Sequence, residues 1–208
     1  MDILKHGAEA ILYLKKYENE IILFKERISK GYRIQILDYK IRSERTSHEA
    51  KLMISARKNN INVPKIFFID KEKFIIGMEF IKGERIKEYL LNCTEFEAKR
   101  IGEEIGKIAG KLHASGIIHG DLTTSNMILS GEKIFIIDFG LGFFSKRYED
   151  MATDLMVLKE AITSVHFKYL NTLWENIIKG YSLENKEYKN VLDTLKKIEM
   201  RGRYIKRE

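Results

Sequence analysis

The sequence is poor in the residues that build covalent or metal cross-links. It holds one cysteine, Cys93, and one proline, Pro64. A single thiol excludes an intramolecular disulfide and any cysteine-based zinc cluster. No apolar run approaches the roughly 18 residues needed to span a bilayer. The start, MDILKHGAEA, has neither the n-region nor the h-region of a secretory signal, so a cytoplasmic protein without a membrane partner is expected. There is no internal repeat and no low-complexity segment. The GxGxxG phosphate loop is also missing: the turn Lys5-His6-Gly7-Ala8-Glu9-Ala10 carries one glycine only.

What is present is ordinary for a folded domain: 208 residues, 44% hydrophobic and 32% charged. Charge is the exception. The net is +7 and the pI about 9.2. Residues 25–58 hold ten Lys/Arg against four Asp/Glu, and residues 196–208 hold six against two. Two basic zones on a mildly acidic body suit a polyanionic partner, although lysine-rich helices can also be plainly solvated.

The hydrophobic pattern divides the chain near residues 79–83. Ala10–Leu14 and Glu20–Lys25 read as a hairpin. Residues 43–60 read as a helix with Ala50, Met53, Ile54 and Arg57 on one stripe, ended by Val63-Pro64. Lys65–Ile69 and Phe74–Phe80 read as two more strands. Beyond residue 85 the pattern turns helical, with helices over Ile86–Leu91, Phe96–His113, Asp150–Phe167, Leu170–Gly180 and Tyr188–Met200. Short strand-like runs at Met127–Leu129 and Ile134–Asp138 interrupt it. Gly202 is expected to break the last helix where positive charge is densest.

The chemistry is concentrated at His119-Gly120-Asp121-Leu122-Thr123-Thr124-Ser125-Asn126 and Asp138-Phe139-Gly140. This is H-x-D-x-x-x-x-N followed twelve residues later by D-F-G, the two halves of a kinase signature. Asp121 is placed to accept a hydrogen bond from an attacking hydroxyl or water. Asn126 and Asp138 are candidate Mg²⁺ ligands beside the phosphates of ATP. Lys25, at the end of its strand, is the candidate phosphate-binding lysine, with Glu49 as its ion-pair partner. Thr46-x-x-Glu49 is alternatively a capping box that would use the carboxylate on the helix's own start. Gly7, Ala8, Glu9 and Ala10 form a weak phosphate cradle. Glu79 and Ile81 sit where backbone groups would meet adenine. Asp154 is a candidate anchor for the catalytic loop, or a plain helix carboxylate.

GAEA, FKERISKGYR, ERTSHEAKLM, IIHGDLTTSN, IIDFGLG, EDMATDLMVL and RGRYIKR occur in this order along the whole chain. Together they resemble the PRPK/Bud-type family of small atypical kinases, the kinase subunit of the KEOPS (EKC) complex. The resemblance implies an α+β, protein-kinase-like two-lobe fold. Its small β-rich N-terminal lobe would span residues 1–81 and carry one main helix, and its reduced helical lobe would span residues 82–208. It further implies an ATP- and Mg²⁺-dependent kinase or ATPase supporting threonylcarbamoyl-adenosine formation in tRNA. Asp121 would be catalytic, with Lys25 and Glu49 as the positioning pair. A Kae-type transferase subunit would be its partner, a Cgi-type subunit would bind the N-terminal lobe, and the tail would lie near tRNA through Lys196, Lys197, Arg201, Arg203, Lys206 and Arg207. Ordinary Ser/Thr kinases carry a lysine two residues past the catalytic aspartate, and here it is Thr123. No A-P-E segment follows, and 70 residues after Asp138 leave little chain for a peptide platform, so water or a partner-presented residue is the expected acceptor. The alternatives are a small-molecule phosphotransferase of the aminoglycoside or choline type, which shares HGDxxxxN, and a non-catalytic tRNA-binding scaffold.

Overall fold

A computed structural model describes the backbone of residues 2–205 and the side chains of residues 3–201. The chain opens with β1 (Asp2–His6), β2 (Ala10–Tyr17) and β3 (Glu20–Arg27), then the long helix α1 (Gln35–Lys58), then β4 (Ile66–Asp70) and β5 (Ile75–Met78). These strands form one antiparallel sheet in the order β1-β2-β3-β5-β4. Side chains alternate across the sheet with period two. Ile22 and Phe24 of β3 therefore join Tyr13 in a small core on one face, with Phe67 and Phe68 packed against it. Leu23, Lys25 and Arg27 point the other way. Leu23 packs against the main core, and Lys25 and Arg27 both reach Glu49 of α1. Lys25 lies opposite Leu12 of β2 and Ile76 of β5.

The second part contains β6 (Glu84–Arg85), α2 (Ile86–Asn92), α3 (Glu95–Ala114), β7 (Ile117–Ile118), β8 (Met127–Ser130), β9 (Lys133–Ile136), β10 (Phe143–Phe144), α4 (Tyr148–Val165), α5 (Leu170–Glu184) and α6 (Tyr188–Ile205). Strands β6, β8 and β9 form a small sheet, and β7 pairs with β10. Helix α3 starts on a capping box in which Thr94 and Glu97 bond each other's backbone N–H, the reciprocal arrangement that satisfies two orphan donors. It packs closely on α5, and glycine makes this possible. A Cβ on Gly106 would stand 2.0 Å from the Ile177 carbonyl, and one on Gly180 would stand 2.0 Å from that of Glu103. One continuous core runs from Ala50, Leu52 and Met53 of α1 to Val191 and Leu195 of α6. Among the described residues no helix is long and apolar enough to cross a membrane.

Four sequence expectations are corrected by the structure. Helix α1 begins at Gln35 and not at residue 43. Its first turns carry exposed Ile36, Leu37 and Tyr39, so no apolar stripe marks them. They are held instead by buried Asp38, which accepts from the Ser29 hydroxyl, the Lys30 N–H and Arg42. Thr46 therefore sits in mid-helix, its hydroxyl donating to the Arg42 carbonyl at 2.7 Å, and the capping-box alternative for Glu49 falls away. The buried face includes Glu49, Ala50, Leu52, Met53 and Ala56, whereas Ile54 is exposed and Arg57 reaches out to the Val63 carbonyl. Gly202 does not break the last helix, which continues to Ile205; one glycine costs a helix about 1 kcal/mol, too little to end it. Strand β1 had no sequence signal, and it turns Gly7–Glu9 into the connection between two paired strands.

Candidate active site

The cleft between the five-stranded sheet and the helical part collects residues far apart in sequence. Glu49, only 1% exposed, receives Lys25 Nζ on one oxygen at 2.6 Å and Arg27 Nη2 on the other at 2.5 Å. The same Lys25 ammonium donates to Asp138 Oδ1 at 2.7 Å. Burial opposes the charge on Lys25, but Glu49 and Asp138 outweigh it and hold the ammonium pKa above its ordinary value. Burial likewise works against the Asp138 carboxylate, and Lys25 with the Gly140 N–H outweighs it, so its pKa lies below the usual range.

The loop over residues 119–126 is fixed from behind. Asp154 of α4 accepts from the His119 N–H at 2.8 Å and the Gly120 N–H at 2.9 Å. Its pKa is lowered: burial opposes ionisation, and His113 and His119, the latter also through its backbone N–H, overcome it. Gly120 has φ +77°, and a Cβ there would meet the Leu141 carbonyl at 2.2 Å, so the turn admits only glycine. The Asp121 N–H donates to His119 Nδ1 at 3.2 Å. That assigns the imidazole proton to Nε2, which faces the Ile137 carbonyl at 3.1 Å.

Asn126 Nδ2 donates to both the Asp121 carbonyl and its carboxylate, at 2.9 and 2.8 Å. The amide orientation this fixes leaves Asn126 Oδ1 without a partner among the described residues. The Ile137 N–H donates to the Asn126 carbonyl at 2.9 Å, and this bond across the β8–β9 hairpin sets Asn126 beside Asp138. The Asp138 side chain is 54% exposed. That amide oxygen and an open carboxylate are hard oxygen donors that fit Mg²⁺, an ion usually held by one or two protein groups together with water and phosphate. Among the described residues no group of three or more His, Cys, Asp or Glu could hold a metal unaided.

Two cavities meet at Lys5, Leu12, Lys25 and Asp138. The inner one, about 230 Å³, has apolar walls from Leu4, Leu23, Pro64, Met78, Ile128 and Ile137, with Glu79 and Ile81 at its rim. The Glu79 N–H is bound to the Lys65 carbonyl at 2.8 Å, while the Glu79 carbonyl and the Ile81 N–H have no partner among the described residues. A flat, edge-polar ring matches this slot. The outer cavity, about 290 Å³, is lined by Gly7, Ala8, Glu9, Ala10, Arg27, Asp121 and Gly140. Its one-glycine loop is held down by Lys30, which donates to the Ala8 carbonyl, and by Arg45, 3.0 Å from Glu9.

Sequence reasoning missed Arg27 and Arg85. Arg27 follows Lys25 by two residues and so shares its face of β3, a signal that was available. Arg85, which donates to the Ser125 carbonyl, left no signal. The basic zone 25–58 is largely consumed internally: besides Lys25 and Arg27, Arg42 and Arg33 face Asp38, and Arg45 faces Glu9. In the tail, Lys196 and Lys197 are exposed, and Arg201 lies 3.8 Å from Glu149. The side chains of Arg203, Lys206 and Arg207 lie outside the described residues.

A β-rich lobe with a lysine–glutamate pair, facing a helical lobe with an Asp–Asn loop and a DFG turn, places this chain in the protein-kinase-like fold class. A solved structure described as WaaP in complex with acyl carrier protein shares that fold at a TM-score of 0.65 and 9% identity, covering 98% of this chain and 88% of its own. The chain belongs to the RIO domain family, whose model matches residues 9–166. It is 42% identical to the KEOPS complex subunit Bud32 of Pyrococcus abyssi, over 100% of this chain and 98% of that protein. It is also 42% identical to a probable bifunctional tRNA threonylcarbamoyladenosine biosynthesis protein of Methanococcus maripaludis, and 39% identical to one of Methanosarcina barkeri. The chain spans 36% of the length of each of these two.

Proposed function

We propose that this chain is an atypical kinase and ATPase that uses ATP and Mg²⁺ as the kinase subunit of a KEOPS complex, in support of threonylcarbamoyl-adenosine formation in tRNA. The observation that carries the reading is the Lys25 ammonium, 2.6 Å from Glu49 and 2.7 Å from Asp138, at the junction of an apolar slot and a polar cavity. In this reading residues 1–81 form the N-terminal lobe and 82–208 the helical lobe. Adenine occupies the apolar slot and bonds the Glu79 carbonyl and the Ile81 N–H. Lys25 donates to the phosphates, and Glu49 keeps it aimed. Asp121, oriented by Asn126, accepts the hydrogen bond of the attacking hydroxyl or water. Asn126 and Asp138 hold Mg²⁺, which when bound neutralises phosphate charge.

The acceptor is water or a residue presented by a partner. Only residues 139–147 separate Asp138 from α4, too short a segment for a peptide platform. The partners are a Kae-type transferase subunit, a Cgi-type subunit on the N-terminal lobe, and tRNA along the basic end of α6, in the cytoplasm. The test is ATP turnover with and without the Kae-type partner and tRNA. Turnover stimulated by partner and tRNA, and lost in Asp138→Ala, is expected. Unchanged turnover in that variant would refute the assigned site, and turnover stimulated instead by aminoglycosides or choline would favour a small-molecule phosphotransferase.

A further inference from the structure

Arg27 is a second buried cation beside the lysine–glutamate pair. It is 5% exposed, and its Nε is buried without a partner. Its side chain makes one hydrogen bond among the described residues, to Glu49 Oε2 at 2.5 Å. Burying a guanidinium with so few partners is costly. The arrangement around it supplies a reason. Glu49 has two oxygens, and β3 delivers one cation to each from residues two apart on the same face. Lys25 is also shared with Asp138, whose carboxylate the proposed function assigns to Mg²⁺. Lys25 must then turn donors toward phosphate while Glu49 stays buried. Arg27 is the group that can keep that carboxylate paired and fixed while Lys25 divides its donors. It borders the polar cavity together with Asp121 and Gly140.

We propose that Arg27 is a positioning residue. It clamps Glu49, and with it α1, onto β3, so that Lys25 is aimed before nucleotide arrives. The inference rests on the proposed function for its ligand. It predicts a pair that is assembled without any switch in α1, and an effect confined to ligands that carry phosphates.

The experiment is calorimetric binding of ATP and of adenosine, both with Mg²⁺ present, to the full chain and to Arg27→Met, Glu49→Gln and the double variant, with thermal unfolding recorded for each. Arg27→Met should weaken ATP about tenfold, the lower weight of one charge-assisted hydrogen bond, and leave adenosine unchanged. Since Arg27 acts through Glu49, the double variant should bind ATP no worse than Glu49→Gln alone. If Arg27→Met does not fold, Arg27→Gln takes its place, with a smaller loss again confined to ATP. An unchanged ATP affinity, an equal loss for adenosine, or a double variant showing the product of the two single losses would overturn the clamp; the last would mean that Arg27 meets phosphate itself. A wild-type chain that binds no Mg-ATP would overturn the proposed function and the clamp with it, whereas the other outcomes strike the clamp alone.

Discussion

Replacing Asp154 by Asn tests how the loop over residues 119–126 is held. The carboxylate is 2% exposed and accepts two backbone N–H groups, from His119 and Gly120, besides facing His113 Nε2 at 3.2 Å. Asn keeps the shape but has one acceptor oxygen, so its NH₂ must face one of the two loop N–H groups. One charge-assisted bond is lost and one buried donor is orphaned, together about 3 kcal/mol. For a chain of this size that corresponds to a Tm lower by about 6–12 °C, read by circular dichroism at neutral pH. The pH dependence supplies a second check. The Asp154 pKa is lowered from 3.8 by folding, so its contribution is fully present above that value. It is lost as pH falls through the folded-state value. The gap between wild type and Asp154→Asn should therefore stay constant above about pH 5 and narrow below about pH 4. Equal Tm values at neutral pH, or a gap that widens on acidification, would refute the reasoning.

Gly106→Ala should destabilise the chain by about 1–3 kcal/mol, because its methyl would force α3 away from the Ile177 carbonyl; a denaturant midpoint equal to wild type would contradict this. Thr94→Ala removes the cap of α3 and should cost about 1 kcal/mol, measured in the same denaturation series. Deleting residues 201–208 should lower the salt slope of tRNA binding by about 0.7–0.9 for each phosphate that the tail neutralises. An unchanged slope would place the tRNA-binding surface elsewhere.

The parts of the site legible in the sequence are those whose geometry is local. Asp121 and Asn126 share one short loop, and Asp138 follows a two-strand hairpin, so spacing alone brings them together. Lys25 and Glu49 were legible as a strand end and a helix position, and Asp154 as a carboxylate early in a helix. What stayed hidden depends on tertiary packing. The first turns of α1 are fixed by Asp38, which is satisfied by Ser29 from the preceding loop and Arg42 one turn on, not by an apolar stripe. Arg27 is explained only by a helix carboxylate 22 residues away. The first basic zone read equally as a partner surface or a solvated face, and the structure spends much of it on Glu9, Asp38 and Glu49. Strand β1 became legible only through its pairing with β2.

The central claim is that Asp138, with Asn126, joins ATP to this cleft through Mg²⁺. The most direct measurement is the affinity for ATP, with and without Mg²⁺, of the wild type and of Asp138→Ala. Mg²⁺ should tighten binding to the wild type and have little effect on the variant, which keeps the apolar slot and Lys25. ATP binding that Mg²⁺ strengthens equally in both proteins would contradict the account.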